Sequence, residues 1–310
     1  MTAEGLALLV PGGVRIGIAL AAALILIVLV HVRRSPLRLL GQSTLFIRWR
    51  TWALAAPLFL AAAAWPVACV VFVTALAIQG VREFSALVGL RGWSHRLLLV
   101  AAATTPLLAV WSFPSWRAMP PLLVLVATLP PLFAQDCEKG ATRLAFTGLG
   151  FAYIPWLLTY VWLLREHAFG GPGVLLALGV AVAASDVGAF VVGNAVRSAK
   201  LAPRLSPNKT VAGVAGNLAG AVGGLALMHF ARPAAMPMGL YYGLALVVVA
   251  GCVWGDLLES LLKRQFGAKD AGTWLPGFGG LLDRIDSLLV VAPLAYTVQV
   301  LAAKWLQVAR

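Results

Sequence analysis

The sequence predicts an all-α, polytopic helical bundle in a membrane, with about ten crossings and a single membrane domain over residues 1–310. Three observations carry this. Hydrophobic residues fill 61% of the chain and charged ones only 11%, at a mean hydropathy of +0.91; a soluble domain has no way to bury that much apolar surface. The apolar residues fall in runs of crossing length, separated by Pro, Gly or charged breaks. The bases then sort to one side of those runs.

The first run, 14–30, follows no basic n-region and no convincing cleavage site, so it reads as a retained span rather than a signal peptide. Runs 51–64 and 66–81 are separated at Trp65 and Pro66; fusing them would move Arg82, Arg91 and Arg96 to the far side, so they are kept apart. Runs 97–112, 120–134, 145–164, 174–195, 210–230, 238–258 and 287–303 complete the set, with Pro57 and Pro106 as kinks or turns within spans. Residues 1–173 are expected to anchor the protein and offer dimer contacts, and 174–310 carry the polar motifs.

With the N-terminus outside, only Arg15, Arg117, Arg165, Arg232, Lys304 and Arg310 remain outside. Arg33, Arg34, Arg38, Arg48, Arg50, Arg82, Arg91, Arg96, Lys139, Arg143, Arg197, Lys200, Arg204, Lys209, Lys263, Arg264, Lys269 and Arg284 face the cytoplasm. The net charge of +13 is thus read as orientation and anionic-headgroup contact, with no nucleic-acid partner. Cys69, Cys137 and Cys252 match no disulfide or zinc spacing and read as small packing residues. His31, His95, His167 and His229 lie at span edges on both sides, and most tryptophans near span ends, as interface residues do.

The acids are few and therefore informative. Five of the eleven, Asp256, Glu259, Asp270, Asp283 and Asp286, fall in one stretch, and Asp186 lies inside a span. An acid at mid-bilayer depth costs about 2.5–3.5 kcal/mol on insertion scales, so it faces a polar cavity or a partner. If the span from 238 continues past Asp256, then Asp256, Glu259, Ser260 and Lys263 share one helix face. Residues 266–280, with five glycines and a proline, read as a cytoplasmic loop, and a helix from about Leu281 puts Asp283 and Asp286 one turn apart. Carboxylates at that spacing suit hard cations, Mg²⁺ above all, and the interleaved Lys263, Arg264, Lys269 and Arg284 suit anions. Acids for metal and bases for anion are what a metal–phosphate site needs.

A second polar cluster spans 185–210. Gly188 and Gly193 allow close helix packing or backbone approach. The run SPNKT is expected to open a helix, with Ser206 as cap, Pro207 in the first turn, and Lys209 and Thr210 near its positive end, a ready anion site. Gly216, Gly220 and Gly224 at four-residue spacing read as helix packing with no chemistry.

The run S-x-x-K-R-x-x-x-x-K-D at Ser260, Lys263, Arg264, Lys269 and Asp270, followed by LPGFGGLLDRIDS, resembles the C-terminal signature of the phosphatidate cytidylyltransferases. The upstream SDVGAFVVG and KLAPRLSPNKT resemble that family's second motif, and Arg82–Glu83–Phe84 a shorter one. The resemblance covers the C-terminal half well and the first 80 residues in hydropathy alone. It implies a membrane enzyme, often a homodimer, that opens to the cytoplasm of a bacterial inner membrane and turns CTP and phosphatidate into CDP-diacylglycerol and pyrophosphate. It implies Mg²⁺ as cofactor, with a second cation left open. Carried over, Asp256, Asp283 and Asp286 would hold metal; Asp270, Lys263 and Lys209 would assist catalysis; Arg264, Lys269, Arg284, Ser260, Ser206, Asn208 and Asp186 would hold substrate.

Two positions depart from the family pattern: Phe278 stands where relatives place His, and Ala212 where they place Glu. A weakened or inactive paralogue that binds nucleotide or lipid phosphate is therefore a second reading. An ion-coupled transporter is a third, since carriers also use intramembrane acids. The gathering of acids at one end rather than at midplane weighs against it. A CDP-alcohol phosphatidyltransferase lacks support because its D-x-x-D-G-x-x-A-R run is missing from the sequence.

Overall fold

The computed structural model describes residues 3–32, 43–166, 168–196, 198–275 and 279–308. Phe278, His167, Arg33, Arg34, Arg38, Arg197 and Arg310, singled out above, lie outside the described residues. Among the described residues the elements are helices and one short hairpin: α1 (Ala3–Val32), α2 (Thr44–Ala64), α3 (Pro66–Val88), α4 (Gly92–Trp111), α5 (Phe113–Phe133), α6 (Gly140–Phe151), α7 (Leu157–Glu166), α8 (Gly171–Ala195), β1 (Lys200–Ala202), β2 (Ser206–Thr210), α9 (Val211–Leu227), α10 (Met238–Gln265) and α11 (Leu282–Val308).

Each of the ten apolar runs lies on a helix. The run 145–164 forms one rod from α6 and α7, joined by a π-helical turn at Ala152–Trp156 that accommodates Pro155. Among the described residues, eight helices are long and apolar enough to cross a membrane, rather than ten. The other two runs fall short for physical reasons. Helix α9 has 17 residues, about 26 Å at 1.5 Å per residue, less than a hydrocarbon core of about 30 Å. Helix α2 begins with Arg48 and Arg50, so its apolar part is only 51–64.

The break at Trp65 is real. Trp65 is extended (φ −120°, ψ 131°) and Pro66 opens α3, where its missing N–H costs nothing. The last carbonyls of α2 find a donor in Arg165, which is 5% exposed: its Nε donates to Ala63 O (3.1 Å) and its Nη2 to Ala64 O (3.0 Å). Two more of the bases that the charge count leaves outside are tied the same way. Arg15 donates to Leu227 O at the end of α9 and lies over the Phe230 ring, and Arg232 donates to Met236 O. At the ends of α2 and α9 these guanidinium groups satisfy orphan carbonyls and complement the dipole, whereas Arg232 ties the turn that leads into α10.

Helices α8 and α9 pack backbone to backbone along the glycine seam. A Cβ on Gly188 would overlap Gly216 O, and one on Gly220 would overlap Ala184 O, as small residues at four-residue spacing permit. Helices α10 and α11 meet as closely at Gly255, where a Cβ would overlap Asp286 O. These two seams bring one end of α8, α9, α10 and α11 together. Helix α3 reaches the same end, because it runs seven residues past the expected 81 to Val88. Phe84 and Leu98, fully buried, close the apolar core beneath.

Candidate active site

At that end the four helices and the hairpin enclose a cavity of about 410 Å³. Its walls carry Asp186 from α8, Ser206, Asn208 and Lys209 from β2, Asn217 from α9, Asp256, Glu259, Ser260 and Lys263 from α10, and Asp283, Arg284 and Asp286 from α11. Helix α10 does continue past Asp256, so its four polar residues at i, i+3, i+4 and i+7 line one wall.

The hairpin corrects the reading of SPNKT. Ser206–Thr210 is a strand paired antiparallel to Lys200–Ala202, and neither Ser206 nor Pro207 belongs to a helix. The residue before proline avoids the α region, and here the whole segment stays extended. The helix cap falls four residues later: Thr210 Oγ1 accepts from Gly213 N at 3.1 Å. Ser198 Oγ accepts from Ala212 N (2.9 Å) and Ala199 O from Val211 N (2.9 Å). The first three donors of α9 are thus taken within the chain, so this helix start is no anion site. Lys209 instead pairs with Asp256 of α10.

The acids sort into two neighbouring pairs. Asp283 and Glu259, 6% and 2% exposed, share Lys263, whose Nζ donates to Asp283 Oδ1 (2.6 Å) and Glu259 Oε2 (2.8 Å). Asp283 Oδ2 also accepts from Gly280 N (2.8 Å) and Ala271 N (2.9 Å). Both oxygens of Asp283 are therefore engaged by protein donors, which makes it an organiser of the loop and helix start. The second pair is Asp256 and the buried Asp286, which face the same cavity; Asp286 Oδ1 accepts from Ser287 N at 2.7 Å.

The donor set fits a hard divalent ion. Among the described residues, no group of three or more His, Cys, Asp or Glu is drawn together tightly enough to hold a metal as it stands. Mg²⁺, however, binds typically through one or two carboxylates with substrate phosphates and water completing the shell. Asp256 and Asp286 supply that pair. Two buried oxygens beside them, Glu259 Oε1 and Asn217 Oδ1, have no hydrogen-bond partner among the described residues, and an orphaned buried acceptor invites a cation or a donor.

Ten of the thirteen site residues expected from the sequence line the cavity: Asp186, Ser206, Asn208, Lys209, Asp256, Ser260, Lys263, Asp283, Arg284 and Asp286. The other three do not. Arg264, Lys269 and Asp270 are exposed and off the cavity wall. Arg264 makes long contacts, from Nε to Leu205 O and from Nη1 to Ala268 O, both 3.4 Å. Asp270 packs beside Gly279. Ala212 sits in the first turn of α9, also off the wall.

Sequence reasoning passed over three residues of this end. Asn217 is the lone polar residue of α9, a signal in itself. Trp52 of α2 reaches the cavity with no signal in its surroundings. Glu83 of α3 touches the turn before α11, and its only hint was the short Arg82–Glu83–Phe84 motif.

Known proteins place this arrangement. A family described as "Cytidylyltransferase family" matches residues 46–302. The phosphatidate cytidylyltransferase of Pseudomonas aeruginosa is 33% identical over 242 residues, 76% of this chain and 88% of the relative. Those of Brucella suis and Mycobacterium leprae are 45% identical over 134 residues and 40% identical over 147. In these two the chain spans about half the length of the relative, 48% and 46%.

Proposed function

The chain belongs to the cytidylyltransferase family, and on that premise we propose that it is a phosphatidate cytidylyltransferase, converting CTP and phosphatidate to CDP-diacylglycerol and pyrophosphate. The observation that carries this reading is the single cavity in which Lys209, Lys263 and Arg284 stand among Asp186, Asp256, Glu259, Asp283 and Asp286 at one end of an integral membrane bundle.

The reaction needs little acid–base chemistry. The phosphate monoester of the lipid has a second pKa of about 6 and is mostly dianionic at neutral pH. Its oxygen attacks the α-phosphorus of CTP, the α–β bridging bond breaks, and pyrophosphate leaves. What remains for the protein is positioning and neutralisation of charge. Asp256 and Asp286 would hold Mg²⁺, assisted by Glu259 Oε1 or Asn217 Oδ1. The ion would neutralise phosphate charge and favour departure of pyrophosphate. Lys209 and Arg284, on the open wall, orient the phosphates. Lys263, held by two buried carboxylates, keeps α10 and α11 in register.

Location suits the substrates. Bases on the α3–α4 connection, the hairpin and the end of α10 gather at the cavity end, which is therefore assigned to the cytoplasmic face of a bacterial inner membrane. CTP enters from water, and the lipid phosphate from the bilayer. The homodimer implied by the resemblance belongs to the same proposal; light scattering in detergent tests it. Ala212, off the cavity wall, gives no support to an inactive paralogue.

The test is purified protein with CTP, Mg²⁺ and a panel of lipid phosphates, followed by pyrophosphate release. Release with phosphatidate that disappears in Asp256→Asn is expected. Absence of release with every lipid phosphate, despite retained CTP binding, would overturn the reading.

A further inference from the structure

We infer that Glu83 is a positioning residue for this site: a carboxylate on α3 that fixes the start of α11, and with it Asp283, Arg284 and Asp286. The inference rests on the proposed function for its kinetic consequence, but not for its structural one.

The first N–H groups of a helix have no partner within it, and a Ser, Thr, Asp or Asn just before the helix normally accepts from one of them. Helix α11 has Leu281 there, which cannot. The acceptor comes from almost two hundred residues upstream. Glu83 Oε1 accepts from Leu281 N at 3.0 Å and Oε2 from Leu282 N at 2.8 Å. A carboxylate astride a helix N-terminus is also favoured by the helix dipole.

Glu83 is built in, not incidental. It is 6% exposed, and Gln79 Nε2, one turn back on α3, donates to Oε1 at 3.0 Å. The glycine loop is moulded around it. A Cβ on Gly280 would lie 2.6 Å from Glu83 Oε2, and one on Gly272 would lie 2.8 Å from its Cδ. Gly279 has φ +86°, a conformation that favours glycine. Among the described residues no lysine or arginine pairs with Glu83, so the helix start is its counter-charge. One carboxylate therefore sets where α11 begins and how it is rotated. Asp283 is the second residue of that helix and Arg284 the third.

The test compares wild type, Glu83→Gln and Glu83→Ala as full chains in one detergent. Hydrogen exchange is followed in peptides covering 279–287, with peptides of the α8–α9 seam as reference. Expected is faster exchange at 279–287 in Glu83→Ala with the seam unchanged. Glu83→Gln, which keeps one acceptor oxygen but opposes an amide N–H with its own NH₂, should be intermediate. In cytidylyl transfer, kcat/KM for CTP should fall by ~10²-fold in Glu83→Ala, as for an ångström-scale displacement of reacting groups, with partial recovery in Glu83→Gln. Unchanged exchange at 279–287 would overturn the inference, as would equal loosening of the seam, which would make Glu83 a general stability residue. If wild type transfers no cytidylyl group, the proposed function fails, while the exchange result still decides the role of Glu83. Should Glu83→Ala not fold, Glu83→Gln carries the same comparison.

Discussion

Lys209→Met should have opposite effects on the two ligands of the cavity. In the structure the ammonium of Lys209 neutralises Asp256, one of the two carboxylates assigned to the cation. A cation that binds Asp256 therefore competes with Lys209 for its charge, and the lysine is freed toward phosphate. The pair is only part-buried, with side chains 21% and 35% exposed. Its strength lies between the ~0–1 kcal/mol of exposed pairs and the larger cost of breaking buried ones. A value of about 1–1.4 kcal/mol corresponds to roughly five- to tenfold in affinity. Without nucleotide, the variant should bind Mn²⁺, as a probe for Mg²⁺, tighter by that factor. CTP binding at saturating Mg²⁺ should weaken by about tenfold or more, the loss of one charge-assisted hydrogen bond of ~1.5–3 kcal/mol. Electron paramagnetic resonance of free Mn²⁺ and equilibrium dialysis of CTP measure the two. Unchanged or weaker Mn²⁺ binding in the variant would refute the exchange, because the competing ammonium would then have no effect on Asp256.

Other expectations follow from the same contacts. Lys263→Met leaves Glu259 and Asp283 buried side by side without their shared cation, which should cost about 3–5 kcal/mol of stability and lower the thermal unfolding midpoint in detergent. Gly220→Ala drives a methyl group into Ala184 O and should unseat α9. Gly223→Ala, with nothing within 4 Å, should be neutral or stabilising by up to ~1 kcal/mol through helix propensity. Paired thermal melts of the two variants distinguish a packing seam from a general effect of losing glycine.

Hydropathy and charge made the helices legible, including the break at Trp65, because a bilayer admits few alternatives to a helix. The count of crossings was less legible, since it depends on length: α9 is too short and α2 spends its first turns on Arg48 and Arg50. The wall of α10 was readable because Asp256, Glu259, Ser260 and Lys263 follow helical spacing. Arg264 lies only about 40° beyond Ser260 on the same helix, and its side chain turns away to Leu205 O and Ala268 O, which spacing does not reveal. Lys269 and Asp270 lie beyond the end of α10, where spacing no longer fixes direction. SPNKT misled because Ser-Pro can open either a helix or a strand, and the deciding partner, Lys200–Ala202, is a tertiary feature. Glu83 was illegible for a similar reason: its partners at Leu281 and Leu282 are distant in sequence. Arg15, Arg165 and Arg232, counted outside by charge alone, each donate to a carbonyl oxygen that the sequence did not point to.

The most direct measurement is the fate of the label from CTP in the presence of Mg²⁺ and phosphatidate. With the α-phosphate labelled, the lipid product should become labelled. With the γ-phosphate labelled, all label should leave as pyrophosphate, and both outcomes should vanish in Asp256→Asn. Label from the γ-phosphate in the lipid, or none from either, would contradict cytidylyl transfer at this cavity.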